Sequence, residues 1–126
     1  AIYLAVQAIL NEGDEVLVLD PAWVSYEPIV QAAGGVTVKV KLDYQQDYRI
    51  TAEALEAACT DKTRLLIINY PNNPTGRILH KDEADILEAF RTSTCSATRS
   101  MKSSSTTESK ASAWAAIPPS ATASPR

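Results

Sequence analysis

Leu65-Leu66-Ile67-Ile68-Asn69-Tyr70-Pro71-Asn72-Asn73-Pro74-Thr75-Gly76 is the stretch on which the reading of the fold turns. Its first third is a solid apolar run, the pattern of a strand buried on both faces. The remainder holds two prolines, three asparagines and a glycine. Proline fixes φ and removes a backbone donor, so the loop after the strand is stiff. Ligand sites in open α/β sheets lie outside the carboxyl ends of strands. The same residue types also build ordinary turns, so the neighbouring sequence has to decide between a plain turn and a site.

Outward from that strand, apolar and turn signals alternate. Ile2, Val6, Ile9 and Leu10 share a helical face. Gly13 and Asp14 mark a turn, and Glu15-Val16-Leu17-Val18-Leu19 reads as a buried strand ended by Asp20-Pro21-Ala22-Trp23. Residues 24–33 read as a helix with Tyr26, Ile29, Val30 and Ala33 inward, closed by Gly34-Gly35. Val36, Val38, Val40 and Leu42 alternate with Thr37, Lys39 and Lys41, a half-buried strand. Thr51 is a natural N-cap for a helix from Ala52 to about Cys59. A last helix is predicted over Lys81–Phe90, with Ala84, Leu87 and Phe90 inward. Strands alternating with helices of about ten residues predict an α/β layer with mostly parallel strands.

Composition breaks near residue 90. Residues 1–90 carry seven Lys/Arg and fourteen Asp/Glu, a net of −7; residues 91–126 carry five and one, a net of +4. The second segment is rich in Ser, Thr and Ala without a clear period, and is expected to be a disordered, low-complexity tail. The overall charge of −3 argues against a nucleic-acid partner. No run reaches the roughly 18 apolar residues of a membrane span. Two cysteines, Cys59 and Cys95, are too few for a disulfide framework. With no basic leader at the start, the expected location is the cytoplasm.

Two strand ends carry the same device, Asp20-Pro21-Ala22-Trp23 and Asn73-Pro74-Thr75-Gly76. Proline after Asp or Asn just past a strand can be cis and hold a tight turn. One device presents an indole and the other a carboxamide. A flat aromatic and an amide donor converging at a sheet edge suit a planar heteroaromatic ligand, which would stack on Trp23 and accept a hydrogen bond from Asn73. The plainer alternatives are that Trp23 covers a helix start and Asn73 forms a turn. His80 reads as a surface or capping residue. Asp82, Glu83, Asp85 and Glu88 read as a solvated helix face whose acids suit the helix dipole.

In order and spacing, Gly13-Asp14-Glu15-Val16-Leu17, Pro21-Ala22-Trp23-Val24-Ser25-Tyr26, Gly34-Gly35 and Asn73-Pro74-Thr75-Gly76 resemble the class I aminotransferases, fold-type I enzymes dependent on pyridoxal phosphate. The resemblance covers about residues 1–90. It implies a partial three-layer sandwich, a fragment of the large cofactor-binding domain. It implies amino acid and 2-oxo acid substrates, and a parent enzyme that is a homodimer. It implies that Asn73 donates to the phenolic oxygen of the cofactor and that Trp23 stacks on its pyridine ring. Pro74 would be the cis proline that aims Asn73, with Pro21 and Gly76 structural at the site. The family's Schiff-base lysine, the aspartate under the pyridine nitrogen and the arginines for phosphate and carboxylate have no match here, so no catalytic residue is assigned and little activity is expected.

The family continues after the last helix with a strand like Ile-Tyr-Leu-Leu-Ser-Asp-Glu-Val-Tyr. Synonymous codons for Arg91–Lys102 can be chosen so that a shifted frame reads Asp-Ile-Tyr-Leu-Leu-Ser-Asp-Glu-Val-Tyr-Glu. The expectation is a frameshift near residues 90–92, with residues 91–126 translated out of frame. Two other readings stand beside the leading one. Val16-Leu17-Val18-Leu19-Asp20 resembles the strand of a nucleotide-binding α/β domain, but no Gly-x-Gly-x-x-Gly turn precedes it. The chain could also be a non-functional pseudogene product, its strands left with open edges.

Overall fold

The computed structural model describes the backbone of residues 1–101 and the side chains of residues 1–93. Helix α1 (Ile2–Ile9) leads into strand β1 (Glu15–Asp20), helix α2 (Tyr26–Ala32) and strand β2 (Val36–Lys41). A 3₁₀ turn (Tyr44–Gln46), helix α3 (Ala52–Ala58), strand β3 (Thr63–Ile67) and helix α4 (Lys81–Met101) follow. The three strands form one parallel sheet in the order β2-β1-β3. In its register, Leu17 stands between Val38 and Leu66.

The pleat of β1 divides the core. Val16 and Val18 face one side, where they pack with Val6, Leu10, Tyr26, Val30, Leu65 and Ile67 under α1 and α2. Leu17 and Leu19 face the other, with Val40, Ile50, Leu55, Leu66 and Phe90 under α3 and α4. Because both faces are covered, β1 and β3 read as continuous apolar runs rather than alternating ones. Each fully buried leucine contributes about 1.5–3 kcal/mol relative to exposure. The result is a partial three-layer α/β sandwich, as the resemblance implies, with the parallel strands that the alternation predicts.

Local signals account for most boundaries. Thr51 caps α3 through a 3.2 Å bond from the Ala54 N–H to its Oγ1. Gly34 ends α2 at φ 81°, where a side chain would be strained. Gly35 has a different reason: an added Cβ would lie 2.6 Å from Leu10 Cδ1.

Three expectations need correction. Helix α4 does not stop at Phe90 but runs to Met101. Thr92 Oγ1 donates to the Glu88 carbonyl and Ser93 Oγ to the Phe90 carbonyl, both at 3.0 Å. Such back-bonding satisfies the hydroxyls at a small cost to the helix, and propagating an existing helix is far easier than starting one. The composition break at residue 90 thus falls within α4; residues 102–126 of the expected tail lie outside the described residues. On the same helix Ala84 is exposed, and Ile86 packs inward with Leu87. Glu83, expected on the solvated face, is fully buried.

Candidate functional site

The strand order places the site. The loop after β1 departs towards α2, on one face of the sheet, whereas the loop after β3 departs towards α4, on the other. Between two adjacent parallel strands whose connections diverge, a crevice opens at their carboxyl ends. The two proline turns, Asp20–Trp23 and Asn72–Gly76, follow the carboxyl ends of β1 and β3.

The peptide bonds Asp20–Pro21 and Asn73–Pro74 are both cis, and so is Tyr70–Pro71, which the sequence reading did not anticipate. The loop after β3 closes on itself. Gly76 N–H donates to the Asn72 carbonyl at 2.7 Å, with Gly76 at φ 73°, and Asn72 N–H donates to the Arg77 carbonyl at 2.8 Å. The Asn72 side chain accepts from Thr75 N–H at 3.2 Å and from Thr75 Oγ1 at 2.8 Å. Its Nδ2 donates to the Pro21 carbonyl at 3.3 Å, which joins the two turns.

A second tie runs through Tyr26. Its ring meets Trp23 edge to face, with centroids 5.4 Å apart and planes at 87°. Burial pushes the Tyr26 hydroxyl pKa up, partly countered by a hydrogen bond with the side chain of Asn69 at the end of β3. The indole-bearing turn is thus linked to the loop after β3 by the Asn72–Pro21 bond, with Asn69 near the Tyr26 hydroxyl.

The residues expected to hold a ligand are the ones left open. Asn73 is exposed, and among the described residues its carboxamide has no hydrogen-bond partner. Trp23 is 38 % exposed. No ring contact or hydrogen bond joins Trp23 to Asn73 directly; Pro21 and Asn72 bring their turns together. A free amide donor and an open indole at one crevice fit the flat, oxygen-bearing ring of the expected heteroaromatic ligand. Pro74 and Gly76 are exposed turn residues with no side-chain role of their own.

Below the loop lies a polar cluster that the sequence reading missed. The Glu83 carboxylate accepts from Ile50 N–H at 2.8 Å, His80 N–H at 3.1 Å and Arg77 Nη1 at 3.0 Å. Burial by itself would raise its pKa, but these donors and the Arg77 charge hold it below the usual carboxylate range. Arg77 is nearly buried, and its Nε lies 3.4 Å from Asp47 Oδ2. Burial would lower the Arg77 pKa, but Glu83, Tyr70 and Asp47 raise it. Burial, then the Glu83 charge, pushes the Tyr70 hydroxyl up, against a hydrogen bond with Arg77. The available signal was spacing: His80 precedes α4 and Glu83 is three residues on, the place from which a glutamate reaches back to the N-cap amide.

Among the described residues no group of three or more His, Cys, Asp or Glu is placed to hold a metal ion, and no helix is long and apolar enough to cross a membrane.

Residues 1–95 match the family model for aminotransferase class I and II. The chain is 50 % identical over 84 residues to an aspartate aminotransferase of Bacillus sp. strain YM-2, covering 67 % of this chain and 21 % of that protein. It is 46 % identical over 87 residues to the aspartate aminotransferase of Geobacillus stearothermophilus, covering 69 % and 22 %. Its fold is similar to that of the Thermus thermophilus aspartate aminotransferase solved with maleate, with a TM-score of 0.71 and 39 % identity over 74 % of this chain and 24 % of that one. The chain spans about a fifth to a quarter of the length of these relatives.

Proposed function

The chain belongs to the class I and II aminotransferases, and from that membership we propose that residues 1–90 are part of a pyridoxal-phosphate-binding large domain. In this reading the Asp20–Trp23 and Asn72–Gly76 turns form one wall of the cofactor site. The observation that carries it is the unpaired Asn73 carboxamide at the carboxyl end of β3, beside the turn that bears an open indole.

Pyridoxal phosphate, when bound, supplies an electron sink, and the protein supplies orientation and electrostatics. Asn73 donates an N–H to the phenolic oxygen and favours its deprotonated form. Trp23 covers one face of the ring and keeps water from it. Pro21, Pro74 and Gly76 shape the two turns. None of these groups moves a proton. The parent reaction is transfer of an amino group between an amino acid and a 2-oxo acid, and relatives named aspartate aminotransferase support a dicarboxylic amino acid as donor. The parent is a cytoplasmic homodimer in this reading.

The lysine that anchors the cofactor in the family has no counterpart in context among residues 1–90. The 126-residue chain is therefore expected to transfer no amino group from an amino acid to a 2-oxo acid; product formed above a cofactor-only control would overturn this. Residues 91–126 are proposed to be an out-of-frame translation. Sequencing the coding DNA tests that; codons that fail to give the family-like strand in the shifted frame would refute it.

A further inference from the structure

Asn72 hydrogen-bonds to both strand-end turns. Two of its side-chain bonds are local and go to Thr75 N–H and Thr75 Oγ1. The third spans 51 residues, from Nδ2 to the Pro21 carbonyl at 3.3 Å. Loop closure does not need that third bond. Gly76 N–H and the Arg77 carbonyl already close the loop through the Asn72 backbone, and the Arg77–Glu83 pair anchors its base. The Pro21 carbonyl stands two residues before Trp23, in the turn that carries the indole.

We propose that Asn72 is a positioning residue: its carboxamide fixes the indole-bearing turn against the amide-bearing loop and so sets the separation of the Trp23 ring from the Asn73 carboxamide. The inference rests on the cofactor-site reading above for its purpose, but its geometry can be tested without ligand. A ring held between an indole face and an amide donor tolerates little change in their spacing. The two walls come from strands that do not share a loop, so a direct cross-link sets that spacing better than the sheet does.

Asn72→Asp separates the two roles. It keeps an acceptor for Thr75 and replaces the donor facing Pro21 with an oxygen. Thr75→Val does the reverse: it removes two local bonds, the one to Asn72 Oδ1 and the one from Arg77 N–H, and leaves the cross-link. Asn72→Ser repeats the first change without the added charge, being too short to reach Pro21, and serves if Asn72→Asp does not fold. Each is made in the full 126-residue chain carrying Trp114→Phe, so that Trp23 is the sole indole. The Trp23 Nε1–H resonance is recorded without ligand and during titration with pyridoxal phosphate.

The expected result is a displaced Trp23 resonance in Asn72→Asp and Asn72→Ser and an unchanged one in Thr75→Val. Affinity for pyridoxal phosphate should fall about tenfold in the first two, the scale of one lost hydrogen bond, and stay within about twofold in the third, which leaves the cross-link intact. A residue that only stabilises the loop would lower the melting temperature and leave the Trp23 resonance of the folded protein in place; that outcome overturns the proposal. If the unsubstituted chain shows no response to pyridoxal phosphate, the cofactor-site reading fails, while the ligand-free resonances still decide whether Asn72 positions Trp23.

Discussion

The loop after β3 has a base and a tip built on opposite terms. At the base, Arg77 and Glu83 are buried, and the carboxylate takes donors from Ile50, His80 and Arg77. At the tip, Asn73 is exposed and makes no hydrogen bond among the described residues. Stability is concentrated where nothing could bind, and hydrogen-bonding capacity is left free where a ligand could. A rigid base supporting an uncommitted tip is what a binding loop requires, because ordering the loop on binding would otherwise cost about 1–2 kcal/mol per residue.

The sharpest way to break this contrast is Glu83→Ala. It strands the buried Arg77 guanidinium and leaves the Ile50 and His80 amides without their acceptor. Removing one partner of a buried pair costs about 3–5 kcal/mol, a large share of the roughly 5–15 kcal/mol that holds a domain together. Urea unfolding measures it, and a loss below about 1 kcal/mol would show that the base carries little of the load.

The base should also give the fold an acid limb. The native pKa of Glu83 lies below its ordinary value. Its contribution is therefore complete above the ordinary glutamate pKa of about 4.3 and is lost as pH falls through the lower native value. Stability measured against pH should decline through that window, and the decline should flatten in Glu83→Gln. An unchanged acid limb in that variant would assign the effect to other carboxylates.

Tyr26→Phe probes the tie between the indole-bearing turn and the strand that carries the loop. It removes the hydroxyl bonded to Asn69 while keeping the ring against Trp23. The expected loss is about 0.5–1.5 kcal/mol, read by thermal melting. The smallest effect on stability belongs to the tip itself. Asn73→Ala should stay within about 0.5 kcal/mol of the parent chain, as surface changes do. A larger loss would mean that the Asn73 carboxamide has a structural partner and is not held in reserve.

The layered architecture was legible because hydrophobic pattern reports burial directly. The unbroken runs at Val16–Leu19 and Leu65–Ile67 belong to strands covered on both faces, and the alternation from Val36 to Lys41 belongs to β2, where Val40 is buried and Val36, Lys39 and Lys41 are exposed. The two proline turns were legible as a pair because their residue types are costly elsewhere. What the sequence concealed were contacts set by distance in space. Glu83 among four acidic residues looks like any solvent-facing charge until Arg77 and Ile50 are brought to it. Asn72 looks like a turn former until Pro21 arrives from 51 residues away. The extent of α4 past Phe90 was not legible because the Ser- and Thr-rich residues there show no helical period of apolar positions.

The central claim is that the tip holds the ring of pyridoxal phosphate through Asn73. The side-chain amide resonances of Asn73, followed in the 126-residue chain during titration with pyridoxal phosphate, test it most directly. The account predicts a saturable shift of those resonances together with that of the Trp23 indole. Asn73 resonances that stay fixed while the cofactor binds elsewhere, or that do not respond at all, would contradict it.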